Sequence, residues 1–171
     1  MPSDFSAAFA ALRQIMRKHA DGMIVLADTP VDFTLASPAT GPNKQPLWFG
    51  AVLLKKSAVT YHLMPLYFNP ALQDTVPAEL LRRKQGKACF NFQRPDAALF
   101  AQLDELTRTA RAQWERNGFL EAAAISRERF ESALRGAGGD PDALARERTV
   151  KTRAAAAKRA ATIAKKQQLA R

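Results

Sequence analysis

Residues 47–68, LWFGAVLLKKSAVTYHLMPLYF, are the apolar and aromatic centre of the chain, and every other segment has to pack on this stretch or lead away from it. Residues 47–54 carry no charge and no proline, Lys55, Lys56 and Ser57 interrupt, and the apolar run resumes at Ala58. That pattern is strand, turn, strand. In the second run Val59, Tyr61 and Leu63 alternate with Thr60, His62 and Met64, the two-residue period of a half-buried strand. The first run is apolar at both parities, Leu47, Phe49, Ala51 and Leu53 against Trp48, Val52 and Leu54, so a central strand covered on both sides is expected. A Lys-Lys pair lacks the Gly or Asn of a tight hairpin, which predicts a turn of about three or four residues that includes Ser57.

The flanking segments supply more strands and two principal helices. Phe5, Phe9, Leu12 and Met16 recur at helical spacing behind Ser3 or Asp4 as cap, Arg17 and Lys18 suit the negative end of that helix, and Asp21-Gly22 stops it. Residues 23–27 and 31–37 read as a hairpin turned by Asp28-Thr29-Pro30, and the proline-rich residues 38–46 as a surface loop. Pro77 opens a helical turn that Arg82, Arg83 and Lys84 carry to Gly86. Residues 87–92, KACFNF, form a last strand, with Ala88, Phe90 and Phe92 on one face and Lys87, Cys89 and Asn91 on the other. Asp96 caps a long helix with Leu99, Leu103, Leu106, Ala110 and Trp114 as its buried stripe, closed by Asn117-Gly118. The fold class is therefore α+β: an antiparallel sheet of about five strands covered by N- and C-terminal helices. The expected divisions are a domain over residues 1–118, a docking helix over 119–135, and a Gly-rich break with a basic helical tail over 136–171.

A length of 171 residues suits one domain with an appendage. The formal charge of +10 is concentrated in eight cations, Arg148, Lys151, Arg153, Lys158, Arg159, Lys165, Lys166 and Arg171, with no acid among them. Subtracting 8 from 10 leaves +2 for residues 1–147. Such a tail releases counterions from a nucleic-acid backbone, so weak, sequence-independent nucleic-acid contact is one expectation and a solvated basic helix without a partner is the other. Residues 140–171 hold no aromatic side chain to stack on bases. Cys89 is the only cysteine, which excludes an internal disulfide and a multi-cysteine zinc site. The first twenty residues place acid before base, the reverse of a signal peptide, and no window offers the roughly 18 uncharged apolar residues of a membrane span. A cytoplasmic protein is expected.

The runs VTYHLMPLYFNP at 59–70 and QGKACFNF at 85–92, with FAALRQ at 9–14 in the first helix, resemble the YdhG-like domains, a bacterial family of largely unknown function. The resemblance spans roughly residues 5–119 and implies an antiparallel sheet covered by helices from both chain ends. Some members are similar to frataxin in architecture and are discussed as intracellular iron chaperones, so iron binding is an implied alternative. Hard iron ions want surface carboxylates, whereas this chain has only Asp4 near the start of its first helix, and Asp104-Glu105 is the only adjacent acidic pair in residues 1–118. The resemblance brings no catalytic residues.

Trp48, His62, Met64, Tyr67, Lys87, Cys89 and Asn91 are candidates to line a small-molecule pocket on one sheet face, apolar with a few polar groups. The alternative is that they form the interface with the long helix that carries Trp114. His62 and Cys89 meet if their strands are neighbours. An imidazole then activates a thiol, although a free cysteine is also among the most commonly buried residues. No orienting acid or oxyanion loop accompanies the pair, so the expected role is a small non-enzymatic binding or accessory module whose ligand is not specified. His19 and His62 lack the further ligands a metal site requires, and Gly136, Gly138 and Gly139 follow a helix rather than a strand, unlike a phosphate loop. No metal or cofactor is expected.

Overall fold

The computed structural model describes residues 4–136, so the basic tail with its eight cations lies outside the described residues. The chain opens with α1 (Phe5–Lys18), capped by Asp4, whose carboxylate accepts from the Ala7 amide at 3.0 Å. Gly22, at φ 71°, makes the turn that leads out of it. Four strands follow, β1 (Ile24–Asp28), β2 (Asp32–Thr40), β3 (Pro46–Leu54) and β4 (Val59–Leu63). Three short helices, α2 (Pro65–Phe68), α3 (Pro70–Gln73) and α4 (Ala78–Leu81), lead to β5 (Lys84–Gln85) and β6 (Cys89–Phe92). Then come α5 (Ala97–Arg116), capped by Asp96, and α6 (Arg127–Gly136). All pairings in the sheet are antiparallel, in the order β1-β2-β3-β4-β6-β5. β3 is central, as its apolar run predicts, with β4 beside it.

Directly opposed residues on neighbouring strands share a face, so register separates the two sides of the sheet. Phe33, Val52, Tyr61 and Phe90 form one row across β2, β3, β4 and β6, and all four are fully buried. This row faces the helices: the Tyr61 hydroxyl lies 2.8 Å from Thr107 Oγ1 of α5 and 3.8 Å from Met16 Sδ of α1. Leu12, Met16, Leu103 and Ala110 complete that core. The next row, Thr34, Ala51, His62 and Cys89, points to the opposite side.

Several expectations need correction. Among the described residues the strands number six, because Lys84–Gln85 pairs with β6 instead of ending a helix. The segment after β4 folds into helices at Pro65 and Pro70, the second capped by Asn69, which accepts from the Leu72 amide. β2 continues through Pro38 to Thr40, and proline is tolerated there because no paired position falls between Ala36 and Thr40. Strict alternation in β3 fails at Phe49: Leu35 faces Gly50 while Ala36 faces Trp48, so Phe49 is an extra residue in a bulge. It turns to the helix side, where its ring meets Trp114 edge-on at 5.4 Å. Finally, the helix expected over 119–135 begins only at Arg127. Residues 119–126 instead run beside β2, with Thr40 donating to the Ala123 carbonyl and accepting from the Ile125 amide, while Phe119 and Ile125 are buried.

Candidate functional site

His62 and Cys89 sit opposite each other on β4 and β6, held there by the alternation that buries Tyr61 and Phe90 beneath the helices. The Cys89 sulfur lies 3.0 Å from His62 Nδ1, and both side chains are half-buried. The bulge at Phe49 brings Trp48 onto the same side, with its ring centroid 6.0 Å from that of His62. Trp48 remains 38 % exposed. The alternative in which these residues form the interface with α5 is overturned: Trp114 packs on Phe49 and Phe119, on the other side of the sheet.

Burial, foremost, lowers the His62 pKa, and the Lys55 ammonium adds to it. Burial raises that of the Cys89 thiol, partly offset by Lys55 and by the Ala88 backbone. Both shifts favour the uncharged forms of the two partners. A thiolate beside an imidazolium, the activated state of a thiol nucleophile, is disfavoured.

The remaining candidates divide. Asn91 lies on the same face but is fully engaged, accepting from the Thr60 hydroxyl at 2.8 Å and donating to Gln85 Oε1 at 2.6 Å, a tie across β4, β6 and β5. Lys87 places its ammonium 5.3 Å from the centre of the Tyr67 ring, whose edge also meets Phe68. Met64 is half-buried at the start of α2. Lys55, a turn residue in the sequence pattern, also acts here, since its charge reaches both His62 and Cys89. Its parity with Ala51 and Leu53 along β3 is the signal that would have placed it on this face. A depression of about 400 Å³, between α4 and the start of α5, is lined by Glu79, Arg82, Arg83, Asp96 and Gln102. Gln102 Oε1 is a buried acceptor without a hydrogen-bond partner.

Among the described residues no three of His, Cys, Asp and Glu gather as a metal cluster, and no helix is long and apolar enough to cross a membrane. His19 belongs to the fold: its Nε2 lies 2.6 Å from Asp104 Oδ1, and Lys18 reaches the other oxygen at 2.5 Å, joining α1 to α5. Asp28 takes Arg13 and Arg17 together, and both guanidinium groups lie over Phe33. No protein-family model, curated protein or solved structure matches this chain.

Proposed function

We propose that the protein is a small, non-enzymatic binding module of YdhG-like type that takes its ligand on the sheet face bearing Trp48, His62 and Cys89. The observation that carries this reading is the side-by-side placement of an accessible indole, an imidazole and a thiol opposite the face that builds the core. A half-exposed aromatic next to two convergent polar groups is the composition of a ligand surface. The non-enzymatic part rests on pKa shifts that favour the neutral thiol and the neutral imidazole over the activated ion pair. A single free cysteine supports a reducing, cytoplasmic setting. The iron reading draws less support, since Asp28, Asp104 and Glu105 are each already bonded to cations. Nucleic-acid contact through the tail rests on residues outside those described.

The test is a fragment library screened against the full chain by amide and indole NMR, together with native mass spectrometry of freshly purified protein. Shifts gathered at Trp48, His62 and Cys89, and absent from Trp48→Ala, support the reading. Shifts that gather at Arg82, Arg83 and Gln102, or none at Trp48, refute it.

A further inference from the structure

We propose that Cys89 and His62 are the two donors of a binding site for a soft monovalent metal cation, Cu(I) being the biological ion of that class. The proposal rests on the sheet-face reading above and names its ligand.

Thiolate sulfur with imidazole nitrogen is a soft donor set, and hard ions such as iron, calcium or magnesium want oxygen ligands in number. None of the described carboxylates gathers with this pair. A structural zinc ion needs four ligands and a catalytic one three from the protein; here only two such donors meet. That leaves ions satisfied by low coordination. Charge selects among them. The Lys55 ammonium already acts on both groups. A monovalent ion with one thiolate and one neutral imidazole is uncharged as a unit, whereas a divalent ion would leave a net positive charge facing Lys55.

Loading is a proton exchange without electron transfer. The Cys89 S–H bond breaks, S–Cu and Nδ1–Cu bonds form, and one proton leaves to solvent, so affinity rises with pH. The donors now stand 3.0 Å apart. With metal bonds of about 2.3 Å to sulfur and 2.0 Å to nitrogen, they must separate to roughly 3.7 Å at a trigonal angle or 4.3 Å at a linear one. An opening of about 1 Å is within reach of two half-buried side chains standing on adjacent strands. The Trp48 ring beside the imidazole shields the site on one side and reports on it.

The experiment titrates the full chain anaerobically with Cu(I) against a chromophoric competitor, and in parallel with Ag(I), which has no redox chemistry under these conditions. One ion per chain is expected, with one proton released per ion and a change in Trp48 emission. Affinity should fall at least 10-fold in His62→Gln and be lost in Cys89→Ser, each variant checked for wild-type amide dispersion. X-ray absorption of the loaded wild-type protein should show one sulfur and one nitrogen ligand, which keeps the idea testable if a variant misfolds. Unchanged affinity in His62→Gln, two sulfurs per ion, or no uptake overturns the metal site. Fragments that still perturb Trp48 in that case leave the sheet-face reading standing, and their absence removes both.

Discussion

Gly50→Ala probes the close approach of α1 to the sheet and the support beneath the candidate site. A Cβ there would stand 2.6 Å from Met16 Cε and 2.7 Å from the His62 carbonyl oxygen. Ordinary carbon contacts lie at about 3.5–4.0 Å, so α1 and β4 would each have to retreat by roughly 1 Å. Met16 is fully buried and has no free side to swing into, and the carbonyl belongs to a strand paired on both sides. A buried methyl contributes about 0.8 kcal/mol in favour, and the stiffer unfolded chain about 0.5–1 kcal/mol. Overpacking costs about 1–3 kcal/mol or more, and with two simultaneous clashes, one on backbone, we place it above that range and expect a net loss near 2 kcal/mol. With a urea slope of about 2 kcal/mol per molar, the unfolding midpoint should drop by about 1 M at unchanged slope. The control is Gly22→Ala, which meets nothing within 4 Å but sits at φ 71° and should lose about 1 kcal/mol to backbone strain alone. Only Gly50→Ala should also shift the NMR signals of His62 and Cys89. A midpoint at or above wild type would refute this account of the α1–β3–β4 packing.

Thr107 donates to the Leu103 carbonyl at 2.7 Å, so the Tyr61 hydroxyl is the donor in their mutual bond. Tyr61→Phe should therefore cost about 1 kcal/mol, while Thr107→Val, which strands a buried donor, should cost about 2 kcal/mol; equal midpoints in urea would contradict this. Lys55 lowers the pKa of both His62 and Cys89, so Lys55→Gln should raise both, read by NMR titration of the ring and by slower alkylation of the thiol at fixed pH. At Asp104 burial pushes the carboxyl up, but the bonds from Lys18 and His19 more than offset it and hold it below its usual value. Its contribution is therefore present above the unfolded carboxylate pKa near 4 and lost as pH falls through the lower folded value. Asp104→Asn should cost about 1 kcal/mol at pH 7, discounted for the exposed Lys18, and the difference from wild type in urea midpoints should shrink as pH falls below about 4.

Periodicity carried much of this architecture. In β4 and β6 one parity is aromatic or aliphatic and the other polar, so the separation of Tyr61 and Phe90 from His62, Cys89 and Asn91 was legible, as were the caps Asp4 and Asp96 and the buried stripe of α5. β3 was different: its two parities are both apolar, and a slip by one residue at Phe49 leaves no trace in such a pattern. Two-residue β5 and four-residue α2 are too short to show any period. Residues 119–126 carry Phe119 and Ala123 at a spacing that a helix would also accept, and the pairing of this segment with Thr40 is a long-range event. Lys55 reads as a turn residue, and its parity with Ala51 and Leu53 is the one mark in the sequence that puts it on this face.

The extra residue in β3 has a structural consequence of its own. It lets two consecutive aromatics serve opposite sides of one strand out of step with the pleat: Phe49 anchors the interior with Trp114, and Trp48 is freed to stand beside His62. Deleting Phe49 would restore simple alternation with Trp48 still on the His62 side, but would take from the interior the ring that meets Trp114. The interior and the candidate surface thus meet at one peptide unit, and the interior owes an aromatic anchor to β3 being one residue longer than its partner.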